Sequence, residues 1–420
     1  MRFPNRVFLM SALLLTGRAF ANAPASMTLE QAIAQALANH PSVASAAAGS
    51  RSAEGAAISA KSGLLPSVQA SVSKSRMQDE TPLFEGSSTS VSASQLLYDL
   101  GRTPQSIAAA QSQLRAARAN EDDTRLQVVR SVTAAYFGLL KAQGVAAASA
   151  ETLTSRQYDR DAAQARLDNG SAARFDVLRA ATALAQSRQA LVAAQADVRS
   201  AQVALNSAIG RVGTEEITTV EPAPAPEQTE KDPVAYALAN RPDVVVARLG
   251  VDAARHSLSA TRVGNAPTLS AAGQLGGAAK TFPADTLRWS AGITLSWNVF
   301  DGFRNSGAIR SAQGSLQRAE ADLRATELTA TQQVTNAVIA VETGQEQVKL
   351  GEATLQQASE ARDVAVGRYQ AGAGTQLEVS DAESQLHSAR VDLVNARYSL
   401  AQAQRELNYL MGKFGPGEAR

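Results

Sequence analysis

The chain has no cysteine, so it carries no disulfide and no thiolate metal site, and no lipid on an N-terminal cysteine can anchor it. Histidine is nearly absent too: His40, His256 and His387 are scattered, and none stands at i, i+4 from another ligand. No metal and no cofactor is therefore expected. Ser71 and Lys74 have a Ser-x-x-Lys spacing, but they lie in an alternating segment without the companion motifs of an acylase, and no catalytic constellation or enzyme is expected. Charge of one sign is lacking as well, with 40 Lys and Arg against 39 Asp and Glu. That balance argues against a nucleic-acid partner. Beyond the N-terminus no run approaches the roughly 20 apolar residues of a membrane-spanning helix. Any insertion into a bilayer must be by strands.

What is present begins with an export signal. Arg2 and Arg6 form a basic start, Val7 to Leu15 an apolar run, and Ala19-Phe20-Ala21 a small-residue cleavage site, with Ala21-Asn22-Ala23 as a second candidate. Removing residues 1–21 takes away Arg2, Arg6 and Arg18 and no acid, so the mature charge is (40 − 3) − 39 = −2.

The rest of the chain is written twice. Ala36 to Pro41 recurs as Ala237 to Pro242 and Pro66 as Pro267, a shift of 267 − 66 = 201. Tyr98-Asp99 recurs as Phe300-Asp301 and Asn206 to Arg211 as Asn408 to Lys413, a shift of 301 − 99 = 202. A unit that holds its length this closely is one structural element used twice. The expected organisation is a signal at 1–21, a first repeat at 22–211, a linker at 212–231, a second repeat at 232–413 and a tail at 414–420. Glu221-Pro-Ala-Pro-Ala-Pro-Glu227 makes the linker an extended polyproline stretch, read as wrapping the waist of the molecule.

Each repeat predicts two strands and two long helices. Strands are expected at about 67–74 and 88–98, then at about 268–275 and 289–300. Helices are expected at about 104–168 and 174–208, then at about 305–370 and 376–411. Val177, Leu184, Leu191, Val198 and Leu205 lie seven apart, as do Val379, Leu386, Leu393, Leu400 and Leu407, with alanines three places later at Ala180, Ala194, Ala382 and Ala389. A strict seven-residue period supercoils helices left-handedly, and alanine on the seam brings their axes close. The longer helices keep the period through Val132, Leu139, Ala146, Leu153, Arg160 and Leu167, and through Val334, Val341, Val348, Leu355, Arg362 and Tyr369. Pro104 after Thr103 is read as the first-turn proline of the first of them. From Pro104 to Leu167 the helix would run about 96 Å, and two shorter helices stacked end to end would cover about 84 Å. Heptads alone would suit a periplasmic coiled-coil or adaptor protein without a pore, but that alternative leaves the strands unexplained.

In the strands Trp289, Ala291, Ile293, Leu295, Trp297 and Val299 share one face and Ser290, Gly292, Thr294 and Ser296 the other. Val91, Ala93 and Leu97 alternate with serines in the same way, and so do the companion strands at Val68, Ala70, Val72 and at Leu269, Ala271, Leu275. This is the dyad pattern of a membrane barrel, apolar toward lipid and polar toward a wet lumen, with Trp289 and Trp297 placed to reach the two interfacial girdles. Four strands cannot close a barrel, so the chain must oligomerise. Two copies would give 8 strands and a filled interior; three would give 12 and leave space.

On these residues the chain resembles the TolC-type outer-membrane efflux proteins from about Leu29 to Lys413. The resemblance rests on the opening Leu29 to Leu37, the strand entries at Pro66 and Pro267, Tyr98-Asp99-Leu-Gly-Arg102 and Phe300-Asp301-Gly-Phe-Arg304, and the paired tips. The tips read Arg166-Leu-Asp-Asn-Gly170 to Asp176-Val177 and Arg368-Tyr-Gln-Ala-Gly372 to Glu378-Val379. The resemblance implies a mostly α-helical homotrimer with a small membrane β-barrel: 12 strands in outer-membrane lipid, and a helical tunnel across the periplasm of a Gram-negative bacterium. It further implies docking on a periplasmic adaptor and an inner-membrane RND or ABC transporter, in multidrug efflux or type I secretion. By position it puts a periplasmic aperture at Asp176, Tyr369, Glu378 and Asp381, and adaptor contacts at Gly170, Ser171, Gly372 and Ala373. Gly374 stands where some members carry arginine. Two tip glycines also have a plain backbone reason, the reversal between antiparallel helices.

Overall fold

A computed structural model of the protein describes residues 26–77, 84–224, 230–279 and 287–413. The expected signal at 1–21, the tail at 414–420 and part of the linker lie outside the described residues.

Strand β1 (Ser26–Met27) leads into α1 (Leu29–Asn39) and α2 (Pro41–Ser62). Thr28 and Gln31 cap α1 reciprocally, the Gln31 amide N–H donating to Thr28 Oγ1 at 3.3 Å and the Thr28 N–H to Gln31 Oε1 at 3.0 Å. Pro41 then forces the break, because the residue before a proline is excluded from the helical region; His40 sits extended at ψ 128°. After β2 (Ser67–Met77) and β3 (Phe84–Tyr98) come α3 (Arg102–Asp168), α4 (Arg174–Ala208) and β4 (Thr218–Thr219). The second copy runs α5 (Pro233–Asn240), α6 (Pro242–Arg262), β5 (Thr268–Ala279), β6 (Arg288–Ser296), α7 (Arg304–Gln370) and α8 (Gln376–Leu410). Arg241 before Pro242 repeats the break, at ψ 129°.

Helices α3 and α7 have 67 residues each, about 100 Å at 1.5 Å per residue. Both α2 and α4 pack on α3, while α6 and α8 each touch α3 and α7. Two shorter helices thus line each long one from end to end. The seam follows the heptads: Val132, Leu139, Leu205 and Val334 are fully buried, and Ala180, Ala194, Ala382 and Ala389 nearly so. Glycine brings α7 closer still to α8, since a Cβ on Gly344 would meet Leu400 at 3.2 Å and one on Gly351 would meet Leu393 at 3.4 Å.

The largest apolar cluster lies midway along α3, around buried Tyr136. Its hydroxyl accepts the Val220 N–H at 3.0 Å and lies 2.8 Å from the Met27 carbonyl oxygen. There β1 and β4 pair in parallel, Ser26 with Thr218 and Met27 with Thr219. A little further on Arg405 donates to the Ala223 carbonyl at 3.0 Å. The segment between the repeats is held across the middle of the helices.

The four long strands form one antiparallel sheet in the order β2-β3-β5-β6. Register puts apolar on apolar, Val68 with Ala93 and Ala70 with Val91, and serine on serine, with Ser67–Ser94, Ser71–Ser90 and Ser73–Ser88 hydroxyls 2.8 Å apart. Ser71 is thus a member of a serine ladder. The register shifts between Leu96 and Tyr98, a bulge that leaves Leu97 without a partner in β5 and sets Tyr98 opposite Leu269. Two expectations need correction. Strand β6 ends at Ser296, so the expected strand at 289–300 is too long and Trp297 and Val299 fall beyond the ladder. Helix α3 starts at Arg102 with Gly101 as N-cap at φ +85°; Thr103 is already helical, and Asp99 Oδ2 accepts its N–H at 2.7 Å.

Candidate functional site at the paired hairpin tips

Both hairpins turn through the same backbone device. Gly170 takes φ +68° and Gly372 φ +74°, the left-handed region that favours glycine. The Ser171 N–H then donates to the Arg166 carbonyl at 2.7 Å, and the Ala373 N–H to that of Arg368 at 2.9 Å. These bonds close the helix ends as Schellman motifs. Gly170, Ser171, Gly372 and Ala373 are all exposed. Gly374 is crowded instead, since a Cβ there would lie 3.0 Å from Arg368 Cβ and 3.1 Å from the Tyr369 nitrogen.

The four expected aperture residues separate into two groups. Asp176 is half-buried at the start of α4 and accepts the Ala173 N–H at 3.3 Å. Tyr369, at the end of α7, is half-buried with its hydroxyl unpartnered. Burial pushes this phenol up, Arg166 opposes, and the carboxylates of Asp176 and Asp159 push it further. Glu378 is paired differently, with Oε2 3.8 Å from Arg368 Nε, and its N–H donates to Thr375 Oγ1 at 3.3 Å. Asp381 is exposed.

Several residues at this end were not singled out from the sequence. The Arg166 guanidinium lies 4.5 Å from the centre of the Tyr369 ring and also donates to the Tyr369 carbonyl, fastening α3 to α7. About three turns above, Arg156 donates to the Ser380 carbonyl at 3.0 Å and to Ser384 Oγ at 2.9 Å, fastening α3 to α8. Arg362 Nε meets Glu383 Oε1 at 2.6 Å; that glutamate is 2% exposed. Asp159, 7% exposed, keeps one oxygen without a partner. Burial pushes its carboxyl up to about 6, with Glu383 adding and Arg156 and Arg362 opposing. His387 bonds Thr152 Oγ1 at 2.9 Å and is held below its ordinary pKa by burial, aided by Arg156 and Arg390. A signal for this cluster did exist, because Arg362 occupies a seam position that the heptad reserves for an apolar side chain.

At the other end of the molecule Trp289, Ile293 and Leu295 of β6 are 79%, 70% and 68% exposed, on a face with no polar interruption. Trp297 is 64% exposed, in the segment between β6 and α7.

An apolar-faced strand sheet carried on helices about 100 Å long defines a class: outer-membrane channels whose barrel continues as a helical tunnel. A family model described as outer membrane efflux protein matches residues 32–211 and 234–413, so the chain belongs to the outer membrane efflux protein family. It is similar to the outer membrane efflux protein BepC of Brucella suis biovar 1 (strain 1330), 27% identical over 424 residues that cover 96% of this chain and 89% of that protein. Among solved structures it superposes on CusC with TM-score 0.85 at 20% identity, covering 94% of this chain and 96% of the other. VceC of Vibrio cholerae gives TM-score 0.82 at 23% identity, covering 92% and 96%. The two matched segments coincide with the two copies of the repeat. The protein is an efflux duct of the outer membrane, and the reading as a coiled-coil protein without a pore falls away.

Proposed function

We propose that the protein acts as a homotrimer, a passive exit duct that receives cargo from an inner-membrane RND or ABC transporter through a periplasmic adaptor. The observation that carries this is the open sheet. Among the described residues β2 and β6 each have one strand neighbour, so both edges would stand unpaired in lipid, at a cost of several kcal/mol for each unsatisfied backbone group. Pairing β2 of one copy with β6 of the next closes the circle, and three copies of four strands make a barrel of 12 with an open lumen. In this reading Trp289 and Trp297 meet the membrane interfaces, and the proline-containing linker girdles the tunnel at Tyr136.

The hairpin tips are then the periplasmic mouth. Gly170, Ser171, Gly372 and Ala373 form the exposed rim that an adaptor meets, and Asp176, Tyr369, Glu378 and Asp381 line the aperture behind it. The test is the assembly state of the detergent-extracted protein. A band at three times the chain mass that collapses on heating is the expected result; a monomer or dimer, or a protein released without detergent, contradicts the duct.

A further inference from the structure

The two copies of the repeat meet inside the chain along one junction. Strand β3 pairs with β5, and α3 packs against α6 and α8. Antiparallel α3 and α8 are held in register by Thr133 with Tyr409 at 3.2 Å and Thr152 with His387 at 2.9 Å, and between these a Cβ on Gly144 would press on Val394. Ion pairs also cross the junction, Glu151 with Arg390 at 3.0 Å and Arg130 with Glu406. The outer edges of the chain carry the same parts unjoined: β2, α2 and α4 at one edge, β6 and α7 at the other. Along α7 Ile339 and Leu350 are 53% and 64% exposed, and along α4 Val192 and Val203 are 64% and 46% exposed. Each pair is 11 residues apart, about three helical turns. Apolar side chains left out at matching intervals on two opposite edges call for each other.

We infer that the junction between copies, resting on the homotrimer proposed above, repeats the junction within the chain: α7 of one copy packs antiparallel on α4 of the next, in the register of α3 on α8. A shift of 346 − 144 = 202 carries Gly144 to Glu346, and 394 − 192 = 202 carries Val394 back to Val192. In that register Ile339 enters between Ala196 and Val203 of the next copy, and Leu350 between Ala185 and Val192, as knobs into holes. It also brings Glu342 and Glu346 within about one helical turn of Arg199 and Arg188 of the next copy. All four are exposed, and among the described residues none has a partner in its own chain. Where the internal junction has glycine this one has Glu346, so α7 stands further from α4 there and leaves room for the carboxylate to turn to Arg188. Acids on one edge and bases on the other favour joining unlike edges and oppose joining like ones. The same two copies are joined in the same sense by β6 on β2, so sheet and helices close one ring.

The chain has no cysteine, so an engineered pair reports the register without background. Glu346→Cys with Val192→Cys, oxidised in detergent extracts of outer membranes, should give covalent oligomers up to the trimer that survive heating in SDS and collapse on reduction. Within one chain α3 and α8 stand between the two positions, so no internal disulfide competes. Glu346→Cys with Ala185→Cys, displaced by about two turns, should not link. For the charges, Glu346→Arg should lower the temperature at which the unlinked trimer falls apart, and Glu346→Arg with Arg188→Glu should restore it. A trimer that does not link at 346 and 192, that links only at 346 and 185, or whose exchanged charges do no better than Glu346→Arg alone overturns this register and leaves the trimer standing. A monomer or dimer in the parent overturns the trimer itself, and this junction with it.

Discussion

Glu383 is charged and 2% exposed, and Arg362 is the cation that makes this tolerable. Removing one member of a buried pair leaves the other desolvated and alone, which typically costs 3–5 kcal/mol. Arg362 keeps 28% of its side chain in contact with solvent, so Glu383→Leu should cost about 2–3 kcal/mol, at or below the low end of that range. Pairing it with Arg362→Met should recover most of the loss, because the half-buried cation goes too and its second partner, Asp363, is 68% exposed and stays solvated. Thermal unfolding of the two variants beside the parent measures both. Asp159 adds a dependence on pH. Its native pKa of about 6 lies above the ordinary value of 3.8. The stability it contributes is therefore fully present below about 4 and lost as pH rises through 6. Between pH 7 and pH 5 this carboxyl should add about 1 kcal/mol per chain, a gain that Asp159→Asn abolishes in unfolding measured at both pH values.

Among the elements, the strands are where side-chain direction decides function. Ile293 is 70% exposed on the face it shares with Trp289 and Leu295, and Thr294 points to the opposite side of β6. In a membrane barrel Ile293→Arg should cost about 2–4 kcal/mol per chain and lower trimer yield, whereas Thr294→Arg should assemble nearly normally. Equal yields of the two from outer-membrane fractions would contradict the orientation of the sheet. Periodicity made these elements legible: a period of two gave the apolar face through Trp289 and Leu295, and a period of seven gave the seam through Val334 and Val379. The bulge beside Leu97 and the end of β6 at Ser296 were not legible, since both depend on what the neighbouring strand offers and not on the strand's own pattern. The same holds for the tips. Gly170 and Gly372 announce a reversal, but the packing of Arg166 on Tyr369 joins residues 203 apart, and no local rule reports such a contact.

Across the whole molecule, three copies would bring three sets of tip residues around one axis, and the gate follows from what each set then does. Glu378 and Asp381 would form rings of carboxylate at a narrow mouth, which favours cations by electrostatic focusing. Within one chain Glu378 is already 3.8 Å from Arg368, so part of its field is neutralised. Glu378→Ala with Asp381→Ala should therefore lower cation selectivity in planar bilayers, and Arg368→Ala should raise it. Closure, in the proposed gate, would rest on other residues. Arg166 holds the carbonyl and the ring of Tyr369 and so keeps α3 on α7. Replacing it by alanine should loosen the mouth and raise single-channel conductance with little change in selectivity. Asp176→Ala with Tyr369→Phe should act in the same direction. Selectivity and conductance would then respond to different substitutions. If Arg166→Ala and Arg368→Ala changed both together, the two groups would be one constriction, and the separation into an electrostatic ring and a mechanical latch would have to be abandoned.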